Sequence, residues 1–165
     1  MIHFLHISAK EKVRPEKAIA ELVTKGGIDV VVSGEQPDKE LVQLACLVAK
    51  KAKCPIHLIY LVEVPRSLPL EALVKKEAQQ AETILAEALT IVNGAGCDAE
   101  AEVVQVRDAA PAIVDEAKDH HCALIMLGQG PNTDHRVHND VGKVIPYVLT
   151  HAPCRVWVIQ DQQAV

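Results

Sequence analysis

Aromatic residues are nearly missing from this 165-residue chain. Phe4, Tyr60, Tyr147 and Trp157 are all there is, 2% of the sequence. A core cannot be built around rings, so Val, Leu, Ile and Ala must fill it, and they are plentiful: apolar residues make up 49%. Such an aliphatic core suits parallel sheets covered by helices, and the apolar fraction argues against disorder. No run of 18 apolar residues occurs, so no membrane insertion is expected. The start, Met1-Ile2-His3-Phe4-Leu5-His6, has no basic region ahead of an apolar stretch and does not read as a signal peptide. Lys and Arg total 17 against 22 Asp and Glu, a net charge of −5, with no basic cluster. A nucleic-acid partner is therefore not expected. The five cysteines, Cys46, Cys54, Cys97, Cys122 and Cys154, are odd in number and never spaced C-x-x-C. They read as small buried thiols in a reducing, cytoplasmic setting.

What is present alternates. Ile28–Ser33 is a β-branched run ending at Gly34 and reads as a buried strand. Pro37 opens a helical pattern carrying Leu41, Leu44, Ala45, Val48 and Ala49, stopped by Pro55. Ile56–Val64 is the second strand. Leu70–Val92 is the longest helical pattern, with Leu73, Glu77, Ala81, Ile84, Leu85, Ala88 and Leu89 on one face. Ala101–Val106 is a third strand, and Asp108 can cap a helix from about Pro111 to Asp119. Ala123–Leu127 is a fourth strand, broken by Gly128-Gln129-Gly130-Pro131. Val141–Thr150 is a helix with Pro146 inside or near its first turn, and Cys154–Ile159 is the last strand. The order predicts an open, mostly parallel five-stranded α/β sheet, doubly wound and Rossmann-like, with helices on both faces. Residues 1–27 form an N-terminal extension, with a strand over Met1–Ser8 and a helix over Pro15–Lys25. Residues 28–165 form the main domain.

Two segments carry a resemblance. Pro55–Pro65 (P-I-H-L-I-Y-L-V-E-V-P) and the stretch from Ala123 (A-L-I-M-L-G-Q-G, then V-G-K-V-I-P-Y-V-L-T-H-A-P-C-R-V-W-V-I) resemble the universal stress protein family. Its closing His-Ala-Pro-Cys-Pro-Val run appears as His151-Ala152-Pro153-Cys154-Arg155-Val156. Residues 107–117 (R-D-A-A-P-A-I-V-D-E-A) resemble a further family segment. The resemblance covers about residues 28–160.

In the nucleotide-binding members of that family, a Gly-x2-Gly-x9-Gly-Ser/Thr loop turns backbone N–H groups and a helix N-terminus toward phosphates. Here Gly128 matches the first glycine, and Pro131, with no N–H, stands at the second. Gly130 sits one residue early. Gly142 matches the third only with one residue inserted, and Lys143 replaces the hydroxyl residue. A lysine there can meet a phosphate as a point charge. Ser33 stands where those members hold an Asp that reads adenine and ribose, and Leu61 matches a residue lining the adenine. Val32, Leu127 and Val144 belong to the same candidate site. Each lost hydrogen bond costs binding ~1–3 kcal/mol. The resemblance thus implies a non-enzymatic cytoplasmic stress-response protein with a nucleotide-site remnant that binds ATP weakly or not at all. Two alternatives stand beside it: an ATP- or AMP-binding signalling module, with Mg²⁺, that uses the variant loop, and a slow nucleotide phosphohydrolase. The resemblance further implies a homodimer through the last strand, with Val156, Trp157, Val158 and Ile159 at the interface, and leaves room for a protein partner. Trp157 reads equally as core or surface of one protomer.

No catalytic set and no metal-ligating set is expected. His135 and His138 lie in a polar loop with Asp134 and Asp140 but lack a third ligand fixed by spacing. His120-His121-Cys122 reads as a polar turn before a buried cysteine, and His57 as a satisfied strand histidine. Glu63 closes the second strand at its carboxyl end, where ligands bind in open α/β sheets.

Overall fold

The structure, a computed structural model, describes residues 21, 23, 26–35, 37–70, 75–130 and 141–160. Five parallel strands lie in the order β3-β2-β1-β4-β5. They are β1 (Ile28–Val31), β2 (Ile56–Glu63), β3 (Ala99–Val106), β4 (Leu124–Gln129) and β5 (Arg155–Gln160). Among the described residues, four helices alternate with them: α1 (Asp38–Ala52), α2 (Lys75–Ala95), α3 (Ala109–Asp119) and α4 (Val141–His151). The chain winds outward from β1 through β2 to β3, then returns to place β4 and β5 on the other side. The expected doubly wound α/β fold is therefore present.

Alternation along the strands builds two cores. Ile28, Val30, Leu58, Leu124 and Met126 face α1 and α2, meeting Leu41, Ala45, Leu85 and Val92. Ile59, Leu61, Ile125 and Leu127 face α3 and α4, meeting Ile113, Val114 and Val148. Val23 also joins the first core and is buried. The strand expected over Met1–Ser8 lies outside the described residues. So does the helix expected over Pro15–Lys25, apart from Glu21 and Val23. His135 and His138 also lie outside them. Among the described residues, no helix is long and apolar enough to cross a membrane.

Several boundaries differ from expectation for identifiable reasons. β1 ends at Val31, although the Val32 N–H still donates to the Ile59 carbonyl at 3.0 Å. Ser33 leaves the ladder because the Asp38 carboxylate takes its N–H. β4 runs on through Gly128 and Gln129, which pair with Ile159 and Gln160, so this glycine does not break the strand. Pro37 comes so close that a Cβ on Gly128 would lie 3.0 Å from its Cδ, and that approach is what calls for glycine. The described part of α2 is Lys75–Ala95, and Leu70 sits in a turn. The helix runs past Asn93 and Gly94 to Ala95, and Gly96 turns the chain at φ +68°. Pro146 is interior to α4. The five cysteines are free; Cys46 and Cys122 are buried and the others half-buried. Burial, followed by the neighbouring Cys97, pushes the Cys46 thiol up to about 11, which leaves it unreactive at neutral pH.

Candidate functional site

The strand order reverses between β1 and β4. A crevice opens there at the carboxyl ends of the strands, where open α/β sheets hold ligands. β1 delivers Val31 and the following Val32, Ser33, Gly34 and Glu35. β2 delivers Tyr60 to Glu63, and β4 delivers Leu127, Gly128 and Gly130. Helices close the sides through Glu77 and Gln80 of α2, Ala109 and Ile113 of α3, and Val144 and Ile145 of α4. One cleft therefore gathers Val32, Ser33, Leu61, Leu127, Gly128, Gly130 and Val144. Lys143, in α4, is exposed and is not among the described lining residues, while whether Gly142 of the same helix lines the cleft lies outside what the described side chains show.

The floor of the cleft is apolar, made of Val31, Leu61, Leu127, Ile113 and Val144. Its rim is acidic. Glu35, Glu63 and Glu77 all line it, and the described lining residues include no Lys or Arg. Glu63 serves the fold, since its Oε1 accepts the Ala109 N–H at 3.0 Å, at the N-terminus of α3. Asp108 caps the same helix, accepting the Ala110 N–H at 3.2 Å. Glu77 is half-buried, and its Oε2 is buried without a hydrogen-bond partner among the described residues.

Asp38, in the first turn of α1, does not line the cleft but lies behind the β1 turn that does. Its Oδ2 accepts the Ser33 and Gly34 N–H groups at 2.8 and 2.6 Å. Burial raises its pKa, while the Gly34 and Ser33 donors pull the other way. The protein's own carboxylate thus holds both N–H groups, and neither is open to a ligand. Tyr60 registers the same crowding. Burial first, then the charges of Asp38, Glu77 and Glu35, push its phenol above its ordinary value. Of these groups only Glu63 stands out in the sequence as a crevice residue. Glu77 leaves one signal there, a carboxylate inside an otherwise apolar helical stripe.

Comparison with known proteins fits this geometry. The universal stress protein family profile matches residues 26–160. The chain belongs to the universal stress protein family. Universal stress protein UspA from Lactobacillus plantarum is 27% identical, with a TM-score of 0.65 over 81% of this chain and 97% of that one. A universal stress protein from Archaeoglobus fulgidus in complex with dAMP is 19% identical, with a TM-score of 0.64 over 82% of this chain and 98% of the other. A family protein from Arabidopsis thaliana with AMP bound is 15% identical, with a TM-score of 0.58 over 83% and 92%. No curated protein matches the chain significantly by sequence. Some structural neighbours of this universal stress protein thus hold adenine nucleotides. Its own cleft combines apolar walls with three lining glutamates, Glu35, Glu63 and Glu77.

Proposed function

We propose that this universal stress protein is a non-enzymatic regulatory protein of the cytoplasm, homodimeric, whose nucleotide-type cleft binds ATP weakly or not at all. The observation that carries this reading is the acidic rim. Two unit charges ~8 Å apart interact by about 2 kcal/mol at an effective dielectric near 20. Several carboxylates facing a polyphosphate therefore oppose binding, even after solvent screening. The loss of an N–H at Pro131 and the occupation of the Ser33 and Gly34 N–H groups by Asp38 act in the same direction. Turnover finds no support in the cleft either. Glu63 is committed to α3, and no nucleophile–base pair stands among the described lining residues.

Thermal unfolding across an ATP and Mg²⁺ titration tests this. A ligand at 100 times its Kd adds about 2.7 kcal/mol, and each kcal/mol moves Tm by roughly 2–4 °C at this size. The expected shift at 1 mM ATP is below ~1 °C. One observation favours a second reading: the rim carboxylates can hold Mg²⁺, which would carry ATP or AMP onto Gly128, Gly130, Gly142 and Lys143. A saturable rise of several degrees, abolished by Gly142→Val, would establish that reading instead.

The dimer proposal draws on β5, which forms one edge of the sheet. Val156 and Val158 pack toward the α3/α4 core, Trp157 and Ile159 toward the other, and all four are half-buried. An aliphatic edge strand of this kind invites backbone pairing with a second copy. Sedimentation equilibrium at micromolar protein should give the mass of two chains; the mass of one chain would remove the proposal.

A further inference from the structure

Asp29 is the second residue of the central strand and is 1% exposed, the sole buried charged residue among those described. A carboxylate inside an aliphatic sheet is costly unless something cationic or hydrogen-bonding answers it. Its Oδ1 lies 3.3 Å from Nδ1 of His120, at the end of α3, and its Oδ2 has no hydrogen-bond partner among the described residues. The other ring nitrogen, Nε2, faces outward. It lies 3.3 Å from Glu102 Oε1 of β3 and 3.9 Å from Glu116 Oε2 of α3. The His57 ring stacks on His120 at 4.4 Å between centroids and fixes its plane.

This is a buried carboxylate behind a histidine, with two more carboxylates in front. If Nδ1–H donates to Asp29, the Nε2 lone pair points at two anions. Either a proton on Nε2 or a metal ion bound to it makes that favourable, and the spacing fits the metal ion. A tetrahedral ion with bonds of ~2.0–2.1 Å holds its ligand atoms roughly 3.3–3.4 Å apart. The His120–Glu102 pair already has that separation, and the three ligand atoms all lie within 4.8 Å of one another. Orientation of a ligating imidazole by a carboxylate on its far nitrogen is the usual second layer of such sites.

We propose that Glu102, Glu116 and His120, with Asp29 as the positioning residue, bind one divalent first-row transition-metal ion. One imidazole and two carboxylates suit Zn²⁺ or Mn²⁺, and Zn²⁺ binds the more tightly of the two. Glu102 is exposed, so a fourth position opens to solvent for water. The ion would clip α3 to the edge strand β3. Because Asp29 and His57 lie near the amino ends of their strands, this site is separate from the cleft and does not depend on its reading.

The test is competition for Zn²⁺ between the chelator-stripped full chain and a chromophoric chelator. Wild type should take up one Zn²⁺ per chain at a site that Glu102→Gln/Glu116→Gln weakens at least ~100-fold. Glu102 is exposed and Glu116 half-buried, and unchanged circular dichroism will show that the fold is kept. Asp29→Asn should weaken the site roughly 10- to 100-fold. Equal Zn²⁺ affinity in the double variant overturns the proposal, because the metal then sits elsewhere. Absence of uptake by wild type at micromolar Zn²⁺ overturns it too, leaving His120 as an ion-pair partner of its three carboxylates. Undiminished affinity in Asp29→Asn removes the positioning role.

Discussion

Leu58→Ala is expected to destabilise the protein by about 3–4 kcal/mol, lowering Tm by roughly 10 °C. Leu58 lies in β2, paired on one side with Val30 of β1 and on the other with Ala101 of β3. It is fully buried in the core under α1 and α2. Removing its isobutyl group costs the transfer free energy of the lost carbons and also leaves a cavity. The strand is held from both sides and cannot move in to fill it. Val103→Ala, on the β3 edge and 39% exposed, should cost under ~0.5 kcal/mol and serves as the control. Urea unfolding of both variants checks the pair. A Leu58→Ala loss no larger than the control would mean that the sheet is not packed as described.

Gly26→Ala is expected to cost about 2–3 kcal/mol, although it adds a single methyl group. A Cβ there would lie 2.2 Å from the His121 carbonyl oxygen and 3.0 Å from the Ala123 nitrogen. Both are backbone atoms and cannot rotate away. The His121 backbone is already committed to a left-handed φ of 52°, and the Ala123 N–H donates to the Gly27 carbonyl at 2.9 Å. The clash therefore strains the turn between α3 and β4. Differential scanning calorimetry reads the change directly; an unaltered Tm would show that the segment before β1 does not seat against this turn.

That glycine also marks what was legible in the sequence. Gly26-Gly27 reads as the end of a helix, because in sequence glycine signals a turn. Its close approach to residue 121 is a long-range fact. The succession of strands and helices and the two-sided covering were legible, because Ile28–Val31, Ile56–Glu63 and Leu124–Leu127 are largely apolar on both faces, as sandwiched parallel strands are; the spatial order of the strands was not. One strand end was missed because the Asp38 carboxylate takes the Ser33 N–H, and the strand was expected to break at Gly128, where Pro37 packs instead. The apolar lining of the cleft followed from the family loop. Its acidic rim did not, because Glu35 and Glu77 come from a loop and a helix that meet only in the fold. Asp29 and His120, 91 positions apart, are joined only by the pairing of β1 and β4 and the return of α3.

On the proposed reading, the rim carboxylates, more than any lack of a base pocket, keep polyphosphate out. Calorimetric titration of ATP with Mg²⁺ into wild type and Glu35→Gln/Glu77→Gln tests this most directly. The expected result is a wild-type Kd weaker than ~1 mM and binding at least about tenfold tighter in the variant, a gain of about 1.4 kcal/mol. Micromolar binding by wild type, lost on removing the two carboxylates, would contradict it and make the rim a Mg²⁺ holder for a working nucleotide site.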